Sequence, residues 1–240
     1  MSAPLVVVVL AAGKGTRMRS SLPKVLHPVA GRPMIQHVLE AAASLDPAQM
    51  VVVIGPEGEA VAEGVRPHPV VVQREQLGTA DAVKAAKDVA QPFIAEGADV
   101  LVLYGDGPLI TADTLTRMRA ARQAGEGAFI WLGFRPPDPT GYGRLLVDDA
   151  GTLSRIVEEK DASEAERTVG LCWAGLLLGE GAALFSLLEQ VDNDNAKQEY
   201  YLTSLVDLAA RDGLASAVVE GDADEVRGVN SRSELAEAEA

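Results

Sequence analysis

Cysteine is almost absent from this chain. Cys172 is the only one in 240 residues, so no intrachain disulfide can form and nothing calls for an oxidising compartment. Long hydrophobic runs are missing as well. The longest N-terminal aliphatic stretch covers residues 5–12 and has no basic region before it, which fits neither a signal peptide nor a membrane span. A soluble, cytoplasmic protein is therefore expected. Acidic side chains are lacking from residues 1–39: Lys14, Arg17, Arg19, Lys24 and Arg32 give that segment +5, and the first acid is Glu40. The remaining 16 basic and 35 acidic side chains give residues 40–240 a charge of −19, within a total of −14. Such a balance argues against a nucleic-acid or anionic-membrane binder, which needs a broad basic surface, and favours a small anionic ligand at one basic loop.

That loop, GKGTRMRSSLPK from Gly13 to Lys24, follows directly on the apolar run Leu5–Leu10. Two common phosphate loops are excluded. A dinucleotide fingerprint needs a third glycine at position 18, which is Met18, and a P-loop needs Gly-Lys-Ser/Thr after four spacers. Glycines such as Gly13 and Gly15 also serve any tight turn. What remains is a loop whose backbone N–H groups can cradle a triphosphate while Arg17 and Lys24 neutralise it. Pro23 stiffens the approach to Lys24. His27, His37 and His68 have no metal-ligand spacing, and no Gly-x-Ser-x-Gly or paired cysteine motif points to nucleophilic catalysis.

A hydrophobic content of 48% over 240 residues allows a substantial core, with one domain as the default. Unalternating β-branched runs at Leu5–Leu10, Met50–Ile54, Val70–Val72 and Val100–Tyr104 read as parallel strands buried on both faces. Helical patterns over residues 34–42, 79–90 and 113–124 separate or follow them. The fold expected is α/β, a Rossmann-like, doubly wound, mostly parallel sheet with ligands at the carboxyl ends of its strands. After Phe129–Phe134, a segment rich in Pro and Gly leads into short runs at 144–147 and 153–157, expected to form a small β-hairpin insertion covering the site. A strand at 171–178, helices at 182–188 and 199–210, and a strand at 214–219 complete the pattern. Asp106 ends a buried strand ahead of Gly107-Pro108, so its carboxylate faces the ligand crevice, where it suits Mg²⁺ better than it suits capping.

Seven ordered segments carry a resemblance: residues 10–42, QREQLGTADA, LYGDGPLI, DPTGYGRL, IVEEKDA, NDNAKQEYYLT and RGVNSR. Together they are similar to the bacterial N-acetylglucosamine-1-phosphate uridylyltransferases, the N-terminal half of a bifunctional enzyme of UDP-N-acetylglucosamine synthesis. The resemblance implies the nucleotide-diphospho-sugar transferase type of fold and transfer of UMP from UTP to a hexosamine 1-phosphate. It implies Lys24 and Arg17 as catalytic residues, and Leu10, Ala12, Gly13, Gly15, Gln73, Gly78 and Thr79 as the nucleotide site. Tyr104, Gly143, Glu158, Trp173, Tyr201 and Thr203 fall on the sugar-phosphate side. Asp106 and Asn230 would hold Mg²⁺, with Mn²⁺ or Co²⁺ as substitutes. Residues 1–230 form the uridylyltransferase domain on this reading, and 231–240 begin a truncated linker helix. The hexapeptide-repeat acetyltransferase of the larger family is absent from the chain, which implies a monomer.

The chain departs from that pattern at Trp173, fifteen residues after Glu158, where the family has a sugar-binding asparagine. The indole either stacks on or crowds the sugar, shifting specificity, or turns into the core and leaves a weakened site. Gly107 and Ser204 are smaller departures. Two other functions stay open on the sequence: a uridylyltransferase for another sugar 1-phosphate, and a non-catalytic nucleotide sensor.

Overall fold

Strands without polar alternation need apolar cover on both faces, and the chain supplies it. The structure, a computed structural model, describes residues 3–149 and 151–239. Its strands in chain order are β1 (Leu5–Ala11), β2 (Pro28–Val29), β3 (Arg32–Pro33), β4 (Gln49–Ile54), β5 (Val70–Val72), β6 (Asp99–Tyr104), β7 (Phe129–Phe134), β8 (Arg144–Val147), β9 (Leu153–Val157), β10 (Cys172–Glu180) and β11 (Ser216–Glu220). Seven make the spine of one sheet in the order β11-β7-β10-β6-β1-β4-β5, with the β8–β9 hairpin attached to β10. The short β2–β3 pair stands apart.

β1 runs parallel to β4 and β6, β4 to β5, and β7 to β11. Consecutive residues of β1 face opposite sides: Val6 and Val8 enter one core with the helices Thr79–Lys84, Lys87–Ile94 and Gly181–Leu188, while Val7 and Val9 enter the other with Met34–Ala43 and Ala112–Gln123. All four valines are fully buried, each contributing about 1.5–3 kcal/mol of transfer free energy.

One spine strand breaks the parallel rule. β10 pairs antiparallel with both β6 and β7. Between β7 and β10 the described residues form the β8–β9 hairpin and one short helix, Glu164–Arg167, beyond the carboxyl end of β7, so β10 re-enters the sheet from that end. The insertion is thereby kept on the edge where β1, β5 and β6 finish.

Two elements differ from the sequence expectation. The helical run 79–90 is divided into Thr79–Lys84 and Lys87–Ile94, the second extending through Pro92. The helix expected at 199–210 begins only at Leu205, after a short 3₁₀ turn at Leu202–Ser204. Residues 199–201 are drawn out because Tyr200 N–H donates to Leu77 O at 2.8 Å and Ala80 N–H to Tyr200 O at 2.9 Å. The helix expected after residue 230 is present as Arg232–Ala238, with Leu235 and Ala238 packed on Val29, Met34 and Val229.

Candidate functional site

The carboxyl ends of β1, β5 and β6 bring together the loop at Ala12–Gly13, Gln73 immediately after Val72, and Asp106 two residues past Tyr104. The basic loop folds as two 3₁₀ turns, Thr16–Met18 and Lys24–Leu26. Gly15 is required immediately before the first turn. Its φ is +57°, and a Cβ there would lie 2.6 Å from the Cβ of Lys24. Lys24 can therefore lie close under the loop, and its ammonium donates to the Asp106 carboxylate and, at 2.9 Å, to Asn230 Oδ1. Val229 N–H donates to Asp106 O at 2.8 Å, fastening the Asn230 loop to the end of β6.

Two cavities meet at this point. One, of about 400 Å³, is lined by Leu10, Ala12, Gly13, Gln73, Gly78 and Thr79, six of the seven residues expected to bind nucleotide, and by Lys24. The other, of about 280 Å³, is lined by Gly143, Glu158, Trp173, Tyr201 and Asn230. Thr79, Tyr104, Asp106 and Glu199 belong to both. Gly15 lies behind Lys24, and Thr203 supports Glu158 through a 3.2 Å hydrogen bond from its hydroxyl. Arg17 is the outlier: it is exposed on the first 3₁₀ turn and lines neither cavity.

In the larger cavity, Gln73 is buried and its amide nitrogen donates to Gly78 O at 2.8 Å and Asp81 Oδ2 at 2.7 Å. Two acceptors fix the orientation of the amide and leave its oxygen as the free acceptor. Gly78 is held at φ +125°, with space for a Cβ closed by Tyr200 O at 2.6 Å. Leu202 N–H donates to Thr79 Oγ1 at 2.9 Å, tying the start of the Thr79–Lys84 helix to the strand-like segment that carries Tyr201.

The smaller cavity is walled by aromatic rings and a carboxylate. Burial pushes the Tyr104 phenol well above its ordinary range, aided by the Glu158 and Asp106 charges, so it stays neutral. Burial likewise raises Glu158, an effect opposed by the Thr203 hydrogen bond and by Lys197. Tyr201 is pushed up to about 12 by burial and by Asp161, Glu158 and Glu199, and its buried hydroxyl has no hydrogen-bond partner among the described residues. Trp173 is 7% exposed and packs edge-on to Trp131 and Tyr104, at 5.7 and 6.0 Å between centroids. Its Nε1–H donates to Leu176 O at 3.1 Å. Trp173 thus belongs to the core and still lines the smaller cavity, with its indole N–H spent on the backbone.

Sequence reasoning passed over Gln76, whose amide donates to Ala12 O from a backbone at φ +52°, bracing the loop after β1. It also missed Lys197, exposed at the rim of the smaller cavity, and Glu225, which accepts from Thr111 and Thr114 hydroxyls at 3.0 and 2.6 Å. Gln76 and Lys197 lie inside quoted motifs, but nothing in spacing separates them from their neighbours.

Among the described residues, no cluster of three or more His, Cys, Asp or Glu could hold a metal by itself. Asp106 and Asn230 nevertheless present two hard oxygen donors to one cation, here the Lys24 ammonium. Such a pair fits a divalent ion of the Mg²⁺ type, which takes few protein ligands and completes its shell with phosphate and water oxygens.

A cationic loop, an oxygen-donor pair and a divided cavity thus lie together at the strand ends of a mostly parallel α/β sheet, an arrangement suited to a nucleotide-dependent transferase. The chain belongs to the family of MobA-like NTP transferase domains, whose family model matches residues 7–169. It is 57% identical over 234 residues to a bifunctional protein GlmU of Rhodospirillum rubrum, covering 97% of this chain and 52% of that protein. A bifunctional protein GlmU of Paramagnetospirillum magneticum is 53% identical over 240 residues, covering 100% and 53%. The chain thus spans about half the length of these relatives. A solved UDP-glucose pyrophosphorylase, complexed with UDP-glucose, superposes with a TM-score of 0.80 over 100% of this chain and 97% of that one; at 18% identity the likeness is one of fold.

Proposed function

We propose that the chain transfers UMP from UTP to N-acetylglucosamine 1-phosphate, giving UDP-N-acetylglucosamine and pyrophosphate. Residues 1–230 would form the catalytic unit. The observation that carries this reading is the meeting of two cavities at Tyr104 and Asp106, with Lys24 at the junction. A uridylyltransferase must bring an α-phosphate and a sugar phosphate together at one such point. The Gln73 amide oxygen and the backbone near Gly78 would read the uracil edge. Lys24 neutralises charge as it builds at the α-phosphate, while Arg17, on the exposed turn, reaches the outer phosphates. A sugar phosphate oxygen then attacks the α-phosphorus in line with departing pyrophosphate, so positioning and neutralisation suffice and no covalent enzyme intermediate is needed. A divalent ion, Mg²⁺ with Mn²⁺ or Co²⁺ as substitutes, would be held by Asp106 and Asn230 and would supply further neutralisation of the triphosphate.

On the sugar side, Glu158 and Tyr201 offer polar atoms to the hexosamine, and Trp173 offers only a ring edge. A changed sugar preference or a non-catalytic sensor is not favoured, given relatives 53–57% identical along the chain. The test is pyrophosphate release from UTP and N-acetylglucosamine 1-phosphate. Lys24→Ala and Asp106→Ala are expected to lower kcat by about 10²-fold or more while remaining folded. Parental rates in both folded variants would overturn the assignment.

A further inference from the structure

The helix Arg232–Ala238 touches both halves of the proposed triphosphate site without lining it. On one side, Arg232 Nε donates to Met18 O at 3.0 Å. Met18 closes the first 3₁₀ turn of the basic loop and is fully buried. On the other side, one carboxylate oxygen of Glu234 accepts from the N–H of Asn230 at 2.6 Å and of Ser231 at 2.8 Å. Glu234 N–H in turn donates to Ser231 Oγ at 3.3 Å, closing a reciprocal cap at the helix start. The residue before Asn230 is fixed as well, since Val229 N–H is held by Asp106 O. Leu235 and Ala238 seat the helix on Val29, Met34 and Val229, so the cap is anchored to the body of the domain.

We propose that this helix is a strut setting the triphosphate and metal site, with Glu234 positioning Asn230 and Arg232 positioning the phosphate loop through Met18. The inference rests on the reading of Asp106 and Asn230 as a cation site. A cap could be satisfied by any helix at this place. Here its acceptor is shared with the backbone of the residue whose side-chain oxygen meets the Lys24 ammonium, so a shift of the cap moves that oxygen directly. Groups that orient ligands from behind in this way commonly change metal affinity by about 10–100-fold when removed.

The two contacts make separable predictions for the full 240-residue chain, read by calorimetry of UTP binding with Mn²⁺ and with chelator. Glu234→Ala is expected to weaken Mn²⁺-UTP binding about tenfold and to leave metal-free UTP binding unchanged. Glu234→Gln keeps an acceptor oxygen and is expected to restore most of that loss. Arg232→Ala is expected to weaken UTP binding with and without metal. In an Asn230→Ala background, the Glu234→Ala penalty is expected to disappear, because the group through which it acts is gone. An equal penalty in both backgrounds, or none in either, overturns the positioning role and leaves the site intact. Failure of the parental chain to bind Mn²⁺-UTP more tightly than metal-free UTP overturns the cation site itself, and the strut falls with it.

Discussion

Gly78→Ala is predicted to loosen both cavities at once. Gly78 sits at φ +125° and ψ −177°, a region open essentially to glycine. A Cβ there would lie 2.6 Å from Tyr200 O and 2.7 Å from Tyr200 N, so the obstruction is backbone and no rotamer change relieves it. Strain at such a backbone position costs about 1–3 kcal/mol, and overpacking adds about 1–3 kcal/mol. The sum, roughly 2–6 kcal/mol, corresponds to a Tm lower by roughly 4–24 °C for a domain of this size. If residues 199–201 lift instead, three hydrogen bonds go: Tyr200 N–H to Leu77 O, Ala80 N–H to Tyr200 O, and Leu202 N–H to Thr79 Oγ1. Thr79 borders the nucleotide cavity and Tyr201 the sugar cavity, so KM is expected to rise for both substrates. Scanning calorimetry and initial-rate kinetics read the two effects. A variant with parental Tm and both KM values unchanged refutes the reasoning.

Other substitutions probe single parts of the site. Trp173→Ala removes a ring packed among Trp131, Tyr104 and the surrounding core, and is expected to cost about 3–5 kcal/mol in urea unfolding; a loss below about 1 kcal/mol would place the indole outside the core. Tyr201→Phe deletes a buried hydroxyl that has no partner among the described residues, so stability is expected to hold or rise by up to about 1 kcal/mol, while KM for the sugar phosphate rises. A large stability loss would show a partner for that hydroxyl. Glu158 titrates above its ordinary 4.5 because burial opposes its charge, so the folded chain binds that proton more tightly than the unfolded one. Its contribution is full below pH 4.5 and is lost as pH rises through the raised value. Glu158→Gln is expected to flatten this slope, gaining in Tm relative to the parent across that window and holding the gain above it; a constant difference at every pH contradicts the assignment.

The parallel strands were legible because burial on both faces leaves no polar alternation: Leu5–Leu10 and Val100–Tyr104 could be little else. The reversal of β10 was not legible, since its composition is that of any buried strand and its direction follows from where residues 135–171 leave the chain. Glu199–Tyr201 has helical composition, but Leu77 and Ala80 capture its backbone from more than a hundred residues away. For the site, six of the seven residues expected to bind nucleotide fell in one cavity because motifs at strand ends need only the sheet order to converge. Arg17 did not join them, as loop charge does not specify where a long side chain rests. Asn230 was reached only through the resemblance, since spacing and composition alone leave it an ordinary loop residue. Its proximity to Lys24 is created by a backbone bond to Asp106 and by the helix that follows.

The most direct measurement is a crystal structure of the chain soaked with UTP and Mn²⁺, read by anomalous scattering. The account predicts uracil against Gln73 and Gly78, the triphosphate under the 13–24 loop, and one anomalous peak between Asp106 and Asn230. Nucleotide bound elsewhere, or a metal peak remote from that pair, would contradict it.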